Sequence, residues 1–128
     1  MGVAPRSNRA LIVDDDDDMR FLLRVLIEAA NEGLAVAGEA RTAQEAFEQW
    51  RTQEPDVVVL DNRMPDCSGL DVAAEMLAER PDQSIILFTA FLDDETIARA
   101  EALGVRACLS KDRYDELPAA LWQYGPAA

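Results

Sequence analysis

Two short apolar runs in the chain stop abruptly at aspartates. Residues 10–13 are followed by Asp14 and Asp15, and residues 57–60 are followed by Asp61. Short β-branched runs that end at acids are typical of buried parallel strands whose carboxyl ends open onto a site. If the two strands are neighbours, three carboxylates meet at one edge of a sheet. Because their repulsion is tolerable only around a hard cation, the sequence predicts a divalent-metal site there.

Strand and helix patterns alternate along the whole chain. The predicted strands cover residues 9–13, 34–40, 57–60, 85–88 and 105–109. The predicted helices cover residues 16–30, the segment between a Thr42 cap and Pro55, residues 70–80, the segment from Asp93 or Asp94 to about 103, and residues 114–124. No hairpin signal separates the strands, so we expect an α/β domain with a doubly wound parallel sheet and helices on both faces. Residues 9–124 form the predicted domain, with tails at 1–8 and 125–128.

Composition narrows the possible functions. The 128 residues fit one domain. The chain has no histidine, which excludes a histidine triad, and its two cysteines lack a zinc-ligand spacing. The net charge is 12 − 25 = −13 with no basic patch, so we expect neither nucleic acid nor an anionic membrane as a direct partner. No apolar stretch has the length of a membrane span or of a signal peptide, so a cytoplasmic location is expected.

The strand ends supply a chemically coherent set of side chains. In an open parallel sheet, ligands bind beyond the carboxyl ends of the strands, where this chain has Asp14, Asp15, Asp61, Thr89 and Lys111. Carboxylates for a cation, a hydroxyl and an ammonium together suit a phosphoryl group in transfer. The chain has no glycine-rich phosphate loop, so a bound nucleotide is not expected. A carboxylate nucleophile remains, and Asp61, after the most buried predicted strand, is the best candidate.

These residues together resemble the receiver domain of two-component response regulators. The resemblance lies in Ile-Val-Asp14-Asp15, in Val-Val-Val-Leu-Asp61-Asn-Arg-Met-Pro65-Asp-Cys-Ser-Gly69, in Phe-Thr89-Ala90 and in Ser110-Lys111, and it spans about residues 9–121. It implies a flavodoxin-like fold with strand order 2-1-3-4-5. It also implies a signalling switch in which Asp61 accepts a phosphoryl group from a histidine kinase or phosphotransfer protein.

The resemblance also implies roles for the other site residues. Asp15, Asp61 and the backbone carbonyl of Arg63 would hold Mg²⁺, and Asp14 would act partly through water. The phosphoryl oxygens would bind to Thr89 and Lys111, and the small Ala90 would leave room for them. Such a protein is not an enzyme beyond intrinsic phosphotransfer and self-dephosphorylation, and phosphorylation can drive formation of a homodimer.

The chain departs from the commonest receiver pattern at four positions. Asp112 follows the lysine where a proline is common, and Cys108 stands where an aromatic switch residue is frequent. Arg63 and Phe91 occupy variable positions beside the site. The Lys-Asp pair resembles receivers of the NarL/LuxR type, which precede helix-turn-helix output domains. No output domain is expected within these 128 residues, so the chain is either a free-standing receiver or the receiver portion of a longer protein.

Two other functions compete with the switch. One is a degenerate receiver that acts as a constitutive interaction module, against which the complete set of site residues argues. The other is a phosphatase with an aspartate nucleophile. That chemistry needs a second acid near the nucleophile as proton donor, and the residue two positions after Asp61 is Arg63, which cannot donate a proton. The remaining acids of the run, at 16–18, are expected only to favour the start of a helix.

Overall fold

The computed structural model describes residues 8–30 and 33–125, and the rest of the predicted tails lies outside this range. Strands and helices alternate as β1 (Asn8–Val13), α1 (Asp17–Ala30), β2 (Leu34–Ala40), α2 (Ala43–Gln53), β3 (Val57–Leu60), α3 (Gly69–Glu79), β4 (Ser84–Thr89), α4 (Asp94–Leu103), β5 (Ala107–Ser110), a 3₁₀ helix (Lys111–Glu116) and α5 (Leu117–Tyr124). None of the described helices is long and apolar enough to cross a membrane.

The five strands form one parallel sheet in the order β2-β1-β3-β4-β5. This confirms the predicted doubly wound, flavodoxin-like α/β fold. The most apolar predicted strand, β3, lies in the middle of the sheet and is buried along its length, whereas the edge strand β5 is only partly buried. The pattern follows from the sequence, because a strand covered by helices on both faces needs apolar residues at every position.

The side chains of the sheet separate into two hydrophobic clusters, one on each face. Alternate residues of β1 illustrate the division, since Leu11 and Val13 belong to one cluster and Ala10 and Ile12 to the other. The first cluster includes residues of α2, α3 and α4, and the second includes residues of α1 and α5. This division follows from the two-residue period of side-chain direction in a strand.

The helix starts follow the predicted capping signals. The Thr42 hydroxyl accepts a hydrogen bond from the Glu45 backbone N–H at 3.1 Å, and the Glu45 carboxylate accepts one from the N–H of Arg41. At α4 the cap is Asp93, whose carboxylate accepts a bond from the N–H of Thr96 at 2.8 Å. Such caps satisfy backbone donors that the first turn of a helix leaves unpaired.

Several boundaries differ from the prediction by one or more residues, and three of them are informative. The predicted last helix at 114–124 is a 3₁₀ helix up to Glu116, and α5 begins only at Leu117, because Pro118 suits the first turn of a helix and not its interior. Strand β5 starts at Ala107, since the N–H of Val105 still bonds to the carbonyl of Ala100 at the end of α4. Asn8, which the sequence predicts to lie in the tail, belongs to β1 and is buried.

Candidate functional site at the carboxyl edge of the sheet

Strand register brings the predicted acidic residues together. Val13 and Leu60 are partners across β1 and β3, so the next residues, Asp14 and Asp61, leave neighbouring strands at the same level. The backbone N–H of Asp61 continues the ladder by donating to the Val13 carbonyl at 3.0 Å. The sheet therefore sets the separation of the two backbone positions from which these carboxylates extend.

Three carboxylates meet at this edge, as the sequence predicts. Oxygen atoms of Asp14, Asp15 and Asp61 lie within 4.8 Å of one another. Asp14 and Asp61 are 1% and 3% exposed, whereas Asp15 is open to solvent. A group of carboxylate oxygens with one open side fits a hard divalent cation that keeps some of its water ligands. The cluster can therefore hold a metal ion.

Lys111 provides a positive charge between the two buried acids. Its Nζ lies 2.7 Å from Oδ2 of Asp14 and 3.1 Å from Oδ2 of Asp61. Burial lowers the pKa of Lys111, but the close contacts with the two aspartate carboxylates and their negative charges outweigh it, so the pKa is raised above its usual value. Lys111 is therefore charged in this site.

Burial has the opposite effect on Asp14. It raises the pKa of the Asp14 carboxyl above its usual value, although Lys111 and the backbone N–H of Asp16 favour the charged form. Oδ1 of Asp14 accepts the hydrogen bond from Asp16 at 2.9 Å. Asp14 is thus held in place through both carboxylate oxygens, one by the backbone and one by Lys111.

The acids and the lysine open into a pocket of about 400 Å³. Its lining comes from the end of β4 and from the segments that follow β1, β3, β4 and β5, and consists of Asp15, Asp16, Asp61, Arg63, Met64, Pro65, Thr89, Ala90 and Lys111. Thr89 is buried at the end of β4, and Ala90 is exposed at the rim. Every strand-end residue of the predicted set except Asp14 therefore lines one pocket, and Asp14 lies directly behind it.

The loop after β3 is held against Asp61 by a close backbone approach. A Cβ atom on Gly69 would lie 2.2 Å from the carbonyl oxygen of Asp61 and 2.8 Å from Cα of Asn62. The N–H of Gly69 donates to the Asn62 carbonyl at 2.9 Å, and the N–H of Arg63 donates to Oδ1 of Asp61 at 3.2 Å. Only glycine permits this approach, so Gly69 helps to set the position of Asp61.

The same loop is tied to the start of α2 by Asp66. Its two carboxylate oxygens accept hydrogen bonds from the backbone N–H groups of Ala43 and Gln44, at 2.9 and 3.3 Å. The bond from Ala43, above all, lowers the pKa of Asp66 below its usual value. Helix α2 therefore has a second cap from a loop far away in sequence.

Comparison with known proteins identifies the family to which the chain belongs. A family model described as the response regulator receiver domain matches residues 10–121. The chain belongs to this family. The receiver is 35% identical over 103 residues to the chemotaxis protein CheY of Thermotoga maritima, a match that covers 80% of this chain and 84% of CheY. It is 36% identical over 104 residues to the transcriptional regulatory protein LnrK of Bacillus subtilis, covering 81% of this chain and 47% of LnrK.

Solved structures agree with this assignment. A LuxR-family response regulator from Aurantimonas sp. SI85-9A1 has a TM-score of 0.81 at 27% identity, with 93% of this chain and 88% of that one covered. The response regulator domain of Thermotoga maritima CheB has a TM-score of 0.85, and at 23% identity that likeness shows the fold alone. The receiver spans about half the length of several transcriptional regulators that it matches.

Sequence reasoning missed two residues beside the site of this receiver. Arg20 lies on the first turns of α1, and its guanidinium contacts the Asp14 carbonyl, the carboxylate of Asp17 and that of Glu39. Asp16, assigned by prediction to the first turn of α1, precedes the helix and accepts a bond from the N–H of Asp18 while also lining the pocket. The spacing of Asp17 and Arg20 was the only sequence signal for the first of these contacts.

A third missed relationship lies at the rim of the pocket. The guanidinium carbon of Arg63 is 4.1 Å from the ring centroid of Phe91, so the two side chains form a cation–π pair. Both residues are exposed, and they belong to the loops after β3 and β4. Since 28 residues of sequence separate them, no local pattern predicts the pair.

Proposed function

We propose that this receiver is a phosphorylation-activated switch of a two-component phosphorelay, in which Asp61 accepts the phosphoryl group. The observation that carries the proposal is the setting of Asp61. Asp61 is 3% exposed, and its carboxylate shares the Lys111 ammonium with Asp14 and borders a pocket open to a donor. A buried carboxylate beside both a fixed ammonium and a metal-binding cluster is suited to attack phosphorus.

The donor would be a phosphohistidine of a kinase or of a phosphotransfer protein. A bond forms between a carboxylate oxygen of Asp61 and phosphorus, while the bond between phosphorus and the imidazole nitrogen breaks. The imidazole leaves with the electron pair of that bond and takes a proton from solvent. The receiver supplies the nucleophile and the electrostatic setting, and the partner supplies the phosphoryl group.

Mg²⁺ is the cation that best fits the acidic cluster in this role. Asp15, Asp61 and the backbone carbonyl of Arg63 would hold it, with Asp14 acting partly through water. Bound there, the metal would offset the negative charge of the incoming phosphoryl oxygens. The carboxylate oxygens within 4.8 Å of one another and the open side at Asp15 support this assignment.

Lys111 and Thr89 would bind the oxygens of the transferred group. Both residues line the pocket with Asp61. Thr89 ends β4 and is paired with Ser110, which ends the neighbouring strand β5 and directly precedes Lys111. Ala90 at the rim would leave room for the group. Movement of these two residues toward the phosphoryl group would shift the loop after β4 and the last part of the chain.

The remaining expectations belong to the same proposal. The receiver would act in the cytoplasm through residues 9–124, with its own activity limited to accepting and slowly hydrolysing the phosphoryl group. Its partners would be a histidine kinase or phosphotransfer protein and, after phosphorylation, a second copy of itself. Because the chain has a net charge of −13, which repels nucleic acid phosphates, we expect it to make no direct contact with nucleic acid.

Labelling with a small phosphodonor tests the proposal. Wild-type protein incubated with Mg²⁺ and acetyl phosphate should gain one phosphoryl group by intact-mass spectrometry. Asp61→Asn should gain none, while Asp71→Asn, which removes an exposed carboxylate on α3, should be labelled like wild type. Equal labelling of the wild type and Asp61→Asn would contradict the role of Asp61, and no labelling of either would contradict the switch.

A further inference from the structure

The Arg63–Phe91 pair sits at the mouth of the proposed phosphoryl site. Arg63 lines the pocket, and its backbone N–H already donates to the Asp61 carboxylate at 3.2 Å. Its side chain therefore begins next to the acceptor, while its guanidinium lies over the Phe91 ring. Phe91 is 64% exposed, so the ring is held at the surface and not in the core.

Arg63 is paired with the aromatic ring of Phe91, which is unexpected for an arginine beside several carboxylates. In the described part of the chain, Lys111, Arg20 and Arg24 all form salt bridges with carboxylates around the carboxyl edge of the sheet. Arg63 forms no salt bridge among the described residues, although Asp15, Asp16 and Asp61 line the same pocket. An aromatic ring holds this cation beside the acids without neutralising any of them.

We propose that Arg63 is a phosphoryl-binding residue. Its guanidinium stacks on Phe91 while Asp61 is unmodified, and it leaves the ring to bind the phosphoryl oxygens when Asp61 is modified. The inference rests on the proposed function. With Asp61 unmodified, stacking on Phe91 keeps a second positive charge out of the metal cluster, where Lys111 already lies. Once the phosphoryl group adds negative oxygens at Asp61, the guanidinium turns toward them.

The relative strengths of the two contacts support this exchange. An exposed cation–π pair stabilises its arrangement by a factor of about two to five. A guanidinium on phosphoryl oxygens forms charge-assisted, often bidentate hydrogen bonds, which at a part-buried site are worth about tenfold or more. The stack is therefore strong enough to define the resting position of Arg63 and weak enough to yield to the phosphoryl group.

The exchange would also release Phe91. Its loop, residues 90–93, joins the end of β4 to the Asp93 cap of α4, so a change at the ring is passed directly to the start of that helix. Cys108 on β5 is only partly buried, and its side chain is too small for a rotation there to move the neighbouring elements much. Arg63 and Phe91 would together supply a movable element at the mouth of the site.

A double-mutant cycle with beryllofluoride, which stands for the phosphoryl group on a carboxylate, tests the inference. Its affinity is measured by ¹⁹F NMR at saturating Mg²⁺ for the wild type, Arg63→Gln, Phe91→Ala and the double variant. We expect Arg63→Gln to weaken binding by about tenfold. Phe91→Ala should strengthen it by about two- to fivefold, because the arginine no longer has to leave the ring. In the Arg63→Gln background, Phe91→Ala should have no effect.

Two controls separate this role from general effects. Phe91→Leu keeps an apolar side chain without an aromatic face and should behave like Phe91→Ala. Arg99→Gln removes the same charge from an exposed position on α4 and should bind like wild type. Equal affinity of Arg63→Gln and the wild type, or weaker binding by Phe91→Ala, would overturn the inference. Failure of the wild type itself to bind beryllofluoride with Mg²⁺ would instead overturn the proposed function.

Discussion

The guanidinium of Arg20 donates a hydrogen bond to the backbone carbonyl of Asp14, with 2.7 Å between Nη1 and the oxygen. The same guanidinium contacts carboxylates of Asp17 and Glu39, and its side chain is only 11% exposed. The peptide that joins Asp14 to Asp15 is therefore anchored to helix α1 and, through Glu39, to strand β2. Arg20 is a positioning residue for the acidic cluster.

Arg20→Met should weaken Mg²⁺ binding by about tenfold, as expected from the loss of a charged hydrogen bond that orients the ligands. Loss of positive charge alone would strengthen cation binding, so the sign of the change separates geometry from charge. Isothermal titration calorimetry measures the Mg²⁺ affinity of the variant and of the wild type. Arg24→Met is the matched control, because Arg24 lies on the same helix and pairs with Glu39 without contacting Asp14. Tighter binding by Arg20→Met would contradict a positioning role.

Asp15→Asn should weaken Mg²⁺ binding by at least about tenfold, whereas Asp17→Asn should leave it nearly unchanged. Asp15 ends the strand and belongs to the carboxylate cluster, while Asp17 lies in the first turn of α1 and pairs with Arg20. Each variant removes one negative charge from the same segment. Calorimetric titration of both proteins gives the comparison, and equal losses would mean that total charge and not ligand geometry determines affinity.

Lys111→Met should bind Mg²⁺ about tenfold more tightly than the wild type, because the ammonium next to Asp14 and Asp61 repels a second cation. Without metal, the same variant should lose about 3 kcal/mol of unfolding free energy, since two buried carboxylates lose their counter-charge. Urea unfolding with and without Mg²⁺ measures both effects, and metal should restore much of the loss. Unchanged metal affinity would remove Lys111 from the electrostatics of the site.

The Asp66 cap should contribute a pH-dependent share of stability. The pKa of Asp66 is lower in the folded protein than its usual value of 3.8, so the charged form stabilises the fold. That contribution is complete above pH 3.8 and is lost as the pH falls through the folded pKa. The difference in unfolding free energy between wild type and Asp66→Asn should therefore be constant from about pH 7 to pH 5 and shrink toward pH 3. Asp82→Asn, an exposed acid before β4, is the control for charge, and a constant difference down to pH 3 would contradict the cap.

The loop at Phe91, and not Cys108, should transmit the modified state to α4. At saturating beryllofluoride, Phe91→Ala should lose most of the amide chemical-shift change at the start of α4, because the exchange with Arg63 is no longer possible. Cys108→Ala should keep it. Sedimentation with and without beryllofluoride shows whether self-association follows the same order. A larger defect in Cys108→Ala would place the coupling in β5.

The strand ends could be predicted from the sequence because each depends only on residues that are close together in the chain. A buried strand needs a continuous apolar run, so the first polar residue after it marks the edge of the sheet, and this rule located Asp14, Asp61 and Thr89. The chain order of such segments then fixed the parallel fold. Lys111 directly follows the fifth strand, whose last residue is Ser110, and α5 begins at Leu117, later than the apolar spacing predicts.

Contacts between segments that are far apart in sequence could not be read in this way. Asp66 caps a helix that starts 23 residues earlier, and the Arg63–Phe91 stack joins two loops. Such contacts depend on where each loop turns after leaving its strand, which apolar periodicity does not encode. Gly69 marks one of these turns, but the approach of its backbone to Asp61 is visible only in three dimensions.

Because the interior is divided into two clusters, the residues on one side of the sheet can change during evolution independently of those on the other side. A change of volume beside Leu23 or Ile27 is absorbed among α1, α5 and one set of strand side chains, while Trp50 and Met76 lie in the other cluster. Substitutions on opposite sides should therefore combine additively in stability. Selection can then reshape one helical surface for recognition without disturbing the other, and the carboxyl edge of the sheet stays common to both.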